Sequence, residues 1–334
     1  LRPAESPLKI DHESAWGSDA IADLLRSFDC RFLALNPGSS YRGLHDSLVN
    51  HTGNENPRLL VCLHEEHTVA IAHGYAKVAE KPMLAAVHSN VGLMHASMAI
   101  YNAWCDRAPV IIIGATGPVD ANKRRPWIDW IHTSRDQGAL VRDFTKWDDQ
   151  PASVHASLEA LLRARNIATS APCGPVYVCL DVSVQEEKLD AKPPAPNVSK
   201  YQPPPPPPPS QEAITSAVEL LSKASRPVIL MGRVSRSEAA WRERIELAER
   251  LQAEVVTDIR LGASFPVAHD LHLEISSVII PEAAKAALSE ADVILSLDWV
   301  DLGGTLDAIR REDARVIHAS MESTLVNGWA QDIM

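Results

Sequence analysis

The stretch "LLVCLHEEHTVAIAHGYA", residues 59–76, changes its grammar halfway. Its first five residues are continuously apolar and too few for a helix, which reads as a strand. After His64-Glu65-Glu66-His67 the pattern becomes helical. Val69, Ala72, Ala76 and Ala79 recur at spacings of three and four, with Ile71, Tyr75 and Val78 on another face. A mostly buried helix is expected, its small residues packing against a sheet or a second subunit.

The same grammar recurs around it. After a helix over "SDAIADLLRSF" (18–28), capped by Ser18, "RFLAL" (31–35) runs into "NPGSS", and "PMLAAV" (82–87) runs into "HSNVG". "PVIIIGA" (109–115) and "PVYVCLDV" (175–182) read as two more strands. Apolar strands alternating with helices predict an α/β fold, a doubly wound parallel sheet in a three-layer α/β/α sandwich. In such a sheet the loops after residues 35, 63 and 87 gather at the carboxyl edge, where ligands bind.

The run "DAKPPAPNVSKYQPPPPPPPS", residues 190–210, breaks this pattern. Pro203 to Pro209 favour polyproline II, about 22 Å long at roughly 3.1 Å per residue. It predicts a stiff linker between a domain over 1–189 and another over 211–334; a proline-rich ligand for an SH3-type partner is the other reading. Beyond it "RPVILMG", "AEVVTD", "ADVILSLDWV" and "ARVIHAS" alternate with helical patterns such as "SEAAWRERIELAERLQ", a second Rossmann-like unit.

Composition narrows the function classes. The 43 acidic against 32 basic residues argue against a general nucleic-acid surface and provide no polybasic membrane patch. Five cysteines without Cys-x-x-Cys spacing read as buried free thiols in a reducing compartment. With no signal core and no apolar run near the roughly 20 residues a span requires, a cytoplasmic protein is expected. The start at Leu1 and the end in "NGWAQDIM" suggest a processed or truncated piece of a longer chain.

The histidines invite a metal reading that their spacing does not support. His-Glu-x-x-His would need a histidine at position 68, and Thr68 stands there. No metal site is therefore expected. Glu65 is the more informative residue: in the first turn of its helix, the dipole stabilises it as an anion, or desolvation lets it exchange a proton with a bound base.

"LHEEHTVAIAHGYAKVAEKP" resembles the segment of thiamine diphosphate enzymes in which a strand-end glutamate is followed nine residues later by Gly-Tyr-Ala, here Glu65 and Gly74-Tyr75-Ala76. "NPGSS", "HSNVG", "IYNAWCDRAPVIIIGA" and "DQGALVRDFTKW" fall in the order of the pyrimidine-binding domain of the benzoylformate decarboxylase-like branch. The segment after the linker resembles that family's central domain.

The resemblance implies roles. Glu65 would hydrogen-bond the aminopyrimidine of thiamine diphosphate and so activate the cofactor, which attacks a 2-oxo acid and takes up the electrons left as carbon dioxide departs. Asn36, Pro37 and Gly38 would line the cofactor. Ser39 would stand near the substrate carboxylate, and His88 would bind substrate and transfer protons. Each has a plainer reading: Asn-Pro-Gly-Ser is ordinary turn chemistry, and His88 could cap the following helix. Lys123, Arg124 and Arg125 could attract an anionic substrate or lie on a solvated loop. The implied function is a 2-oxo acid decarboxylase or carboligase, a lyase. The alternatives are an acetolactate synthase-like carboligase, against which "HSNVG" stands where Gly-Pro-Gly is found, and a noncatalytic assembly module.

In the family a third domain with Gly-Asp-Gly holds the diphosphate and Mg2+; these 334 residues contain no Gly-Asp dipeptide. The expectation is a fragment inactive by itself, with that domain missing, and a homodimer or homotetramer sharing active sites between subunits. Some relatives hold FAD or a nucleotide in the central domain, but "LMGRVSR" and "DWVDLGG" lack Gly-x-Gly-x-x-Gly and predict a structural role.

Overall fold

A computed structural model of the chain describes residues 5–8, 15–194, 196–276, 280–309 and 314–322. The closing run "NGWAQDIM" lies outside them. The chain divides into two compact units, Leu1–Pro206 and Pro207–Met334.

The first unit is built on α1 (Gly17–Arg26), β1 (Phe32–Leu35), β2 (Arg58–Val61), α2 (Glu65–Ala79), β3 (Met83–Ala86), α3 (Ser89–Cys105), β4 (Val110–Thr116), α4 (Ile128–His132), β5 (Asp148–Asp149), α5 (Val154–Thr169) and β6 (Val176–Asp181). The sheet order is β2-β1-β3-β4-β6-β5, parallel throughout. Period-two alternation assigns each strand residue to one of two cores. Leu33, Leu84, Ile111, Ile113 and Val178 join α1 and α5 on one face. Ala34, Ala85, Ile112 and Tyr177 join α2 and α3 on the other. Ile111, Ile112 and Ile113 are completely buried, and each contributes roughly 1.5–3 kcal/mol. That outweighs any local preference, so an unbroken apolar run becomes a central strand.

The second unit follows the same plan. Its elements are α6 (Gln211–Lys223), β7 (Pro227–Met231), α7 (Glu238–Leu251), β8 (Glu254–Asp258), β9 (His272–Ser276), α8 (Glu282–Glu290), β10 (Val293–Leu297), α9 (Leu302–Ile309) and β11 (Arg315–Ala319). The parallel order is β9-β8-β7-β10-β11. Val228, Leu230 and Ile294 face one core, and Ile229, Met231 and Leu295 the other. Both units are thus α/β sandwiches of three layers.

Three expectations need correcting. Helix α1 begins one residue before Ser18, which lies inside it; Asp19 does the capping work, its Oδ2 accepting the Trp16 N–H at 2.9 Å. Helix α2 buries one stripe only, since Ile71 and Val78 are 43% and 79% exposed. No thiol is in a disulfide, but Cys105 is exposed and Cys173 half-buried. Burial pushes Cys30 and Cys179 up to about 12. The proline run 203–209 carries no regular secondary structure. Among the described residues no helix is long and apolar enough to cross a membrane.

Candidate active site

In the first sheet the chain leaves β1 in one direction to β2 and returns on its other side to β3, so the order reverses between β1 and β3. Loops leaving the carboxyl ends of such a pair diverge and open a crevice. The "NPGSS" loop leaves β1 there, and "HSNVG" leaves β3.

Tyr41 pins the first loop. It is fully buried, and its hydroxyl bonds the Val87 carbonyl at 2.8 Å, just past β3, and the Ile113 carbonyl at 2.5 Å, midway along β4. Gln185 adds a second tie, its Nε2 donating to the Ser40 carbonyl at 3.0 Å. The loop is drawn so near β3 that a Cβ on Gly38 would stand 2.3 Å from the His88 ring.

His88 occupies the N-cap position of α3 but does not cap it. Its Nδ1 instead lies 2.7 Å from Ser40 Oγ, which holds the ring and leaves Nε2 as the nitrogen that can take or give a proton. Burial, and next the neighbouring His132, lower its pKa from the ordinary 6.5, with Glu65 opposing. The His132 ring stands 4.9 Å away. Ser89 follows with φ +55, a left-handed conformation costly for a side chain with a Cβ, and its hydroxyl bonds the His132 carbonyl.

Glu65 starts α2. His64 is extended at the N-cap, and its Nδ1 accepts the Glu66 N–H at 3.2 Å. The Glu65 side chain is 7% exposed. It points at α3, where a Cβ on Gly92 would meet its Oε1 at 2.7 Å. The glycine of "HSNVG" is therefore what makes room for the carboxylate. His95, one turn further along α3, has Nδ1 3.8 Å from Glu65 Oε2.

The expected site residues divide. Glu65, His88 and Gly38 lie at the switch point with side chains or backbone in the described contacts. Asn36 is half-buried and Pro37 exposed on the same loop. Ser39 is exposed; its neighbour Ser40, 4% exposed, reaches His88. Sequence reasoning missed Ser40, Tyr41, Gly92, His95 and His132. Only Gly92 carried a signal, as the glycine closing "HSNVG". The guanidiniums of "NKRRPWIDW" are engaged locally: Arg124 donates to the Pro118 and Val119 carbonyls, and Arg125 pairs with Asp129.

This donor set suits a cofactor with a basic heterocycle: a nearly buried carboxylate at a helix start, a glycine leaving space beside it, and a histidine fixed by one nitrogen. Residues 15–140 match the thiamine pyrophosphate enzyme N-terminal TPP binding domain, and residues 214–328 the thiamine pyrophosphate enzyme central domain. The chain is 26% identical over 324 residues to an acetolactate synthase large subunit of Corynebacterium glutamicum, covering 93% of this chain and 48% of that protein. It is 27% identical over 260 residues to a probable 2-ketoarginine decarboxylase of Pseudomonas aeruginosa, covering 77% and 43%. A solved thiamine diphosphate-dependent 4-hydroxybenzoylformate decarboxylase of Rhodococcus jostii RHA1 superposes with TM-score 0.69 at 21% identity, covering 84% of this chain and 51% of that one. The chain spans about half the length of the curated relatives it matches.

Proposed function

Because this chain is built from the N-terminal TPP-binding domain and the central domain of the thiamine pyrophosphate enzymes, we propose that it forms the pyrimidine-binding and central part of a thiamine diphosphate-dependent enzyme acting on a 2-oxo acid. The observation that carries this reading is Glu65, a nearly buried carboxylate at the start of α2 facing the space that Gly92 leaves. Bound thiamine diphosphate would supply the carbon nucleophile and electron sink that loss of carbon dioxide from a 2-oxo acid requires.

The chain's own residues prepare the site. Glu65 would hold the aminopyrimidine ring nitrogen of the cofactor by a hydrogen bond from its carboxyl group. His88, kept by Ser40 and neutral near pH 7 because burial lowers its pKa, offers Nε2 for proton transfer to the substrate. Ser39 on the outer side of the same turn is available to a substrate carboxylate, and Asn36, Pro37 and Gly38 wall the cofactor. The diphosphate and Mg2+ would be held by residues outside these two domains. A homodimer or homotetramer would bury the exposed apolar side chains of α2 and α3, among them Ile71, Val78, Met94 and Met98.

A benzoylformate decarboxylase-like lyase is favoured by the Ser40–His88 contact, which gives the crevice a positioned proton carrier. A carboligase reading is favoured by the acetolactate synthases among the relatives. Assay of the chain together with a diphosphate-binding domain, measuring carbon dioxide release and carbon–carbon products from aliphatic and aromatic 2-oxo acids, separates the two. Glu65→Gln is expected to lower turnover by about 10²–10⁴-fold with little change in Tm. Undiminished turnover would remove Glu65 from the mechanism.

A further inference from the structure

We propose that His64, Glu65 and His95 form a binding site for a divalent transition-metal ion of the zinc class, closed across the start of α2 and the first turns of α3. One ligand atom from each residue lies within 4.8 Å of the other two. The spacing rule that disqualifies His64 and His67 as a pair looks along one helix only. The histidine that completes the set comes from the neighbouring helix, 30 positions after Glu65.

Two imidazoles and one carboxylate are a ligand set for zinc-class ions, with a fourth position open to water. Bonds of roughly 2.0–2.2 Å place ligand atoms of a tetrahedral site about 3.3–3.6 Å apart. The carboxylate and His95 Nδ1, 3.8 Å apart, already stand near that separation. The rings of His64 and His95 are stacked, centroids 4.8 Å apart and 5° from parallel, so one must turn to bring its nitrogen in. Both can. The His95 side chain is 52% exposed, and His64 gives up only the 3.2 Å bond from the Glu66 N–H. The positive end of α2 opposes a cation, and Glu65 and Glu66 in its first turn offset it. His67, its ring tilted 52° to that of His64 at 5.6 Å, stays outside the set.

A metal on Glu65 occupies the carboxylate assigned above to the aminopyrimidine, so metal and cofactor exclude one another. That consequence rests on the proposed role of Glu65; the metal site itself does not.

The probe is Co2+, titrated into the purified 334-residue chain and followed by its visible ligand-field absorption. One equivalent is expected to bind and to be displaced by Zn2+. His95→Ala and Glu65→Gln should each weaken binding at least tenfold, and His67→Ala should leave it unchanged. His95 is half-exposed, so its loss does not threaten folding, and a thermal melt of each variant checks this. No saturable binding, or a site indifferent to His95→Ala or weakened equally by His67→Ala, overturns the assignment. A Co2+ site that persists while Glu65→Gln keeps full turnover in the cofactor-loaded enzyme sustains the metal site and removes only the cofactor reading.

Discussion

Each sheet has a switch point beside its first strand, and the loops leaving those two points meet in different ways. In the first unit they meet through a side chain, the His88 ring lying over Gly38. In the second the switch falls between β7 and β10, and the loops meet through backbone. Gly232 N–H donates to the Leu297 carbonyl at 2.9 Å and Arg233 N–H to the Asp298 carbonyl at 3.0 Å. A Cβ on Gly232 would stand 2.0 Å from the Asp298 carbonyl oxygen. The charges there also pair among themselves: Arg233 Nε with Asp298 at 3.0 Å, and Asp298 with Ser320. Buried Asp258 pairs with Arg260. One scaffold therefore joins its two loops through side chains, and the other through backbone hydrogen bonds.

Substitutions at the two glycines break or sharpen this contrast. Gly232→Ala drives a methyl into backbone that has no room to yield, and a loss of roughly 3 kcal/mol in the second unit is expected. Calorimetry should show that unit's transition falling while the first unit's stays. Gly38→Ala meets a side chain that can turn, so the expected loss is about 1–2 kcal/mol, accompanied by displacement of His88. Ser40→Ala removes one hydrogen bond, about 1 kcal/mol, and should move the His88 Nδ1 resonance in 15N NMR while Ser39→Ala leaves it in place. A larger effect from Ser39 would reverse the assignment.

The smallest effect is on pH dependence. Burial lowers the pKa of His88 in the first unit and of His272 and His318 in the second from 6.5. The unfolded chain takes up these protons near 6.5, the folded chain only at lower pH. Their contribution to stability is complete above that value and is lost as the pH falls through it toward the folded values. With two such groups against one among the described residues, the second unit should lose stability more steeply as the pH falls below about 7. Equal slopes would contradict the burial argument, and His88→Gln should flatten only the first unit's slope.

Legibility in the sequence follows the physics of each element. Central parallel strands are buried on both faces and so appear as apolar runs, as in "PVIIIGA". The edge strand Asp148–Asp149 has no such run and was invisible, and β9, "HLEIS", mixes polar with apolar residues. Glu65 was legible because a strand end, a helix start and Gly-Tyr-Ala are all local in sequence. The choice between Ser39 and Ser40 was not. The 3-10 turn Ser39–Tyr41 turns successive side chains about 120° apart, and only the docking of that turn by Tyr41 decides which serine faces inward.

The sequence by itself determined two α/β units and a carboxylate where the second strand gives way to its helix, since apolar periodicity and local motifs act over a few residues. Tertiary structure alone decided that Ser40 holds His88, that Gly92 makes room for Glu65, and that His95 stands beside that carboxylate. Those contacts join residues tens of positions apart, and they exist only because α2, α3 and the loop after β1 are packed against one sheet edge.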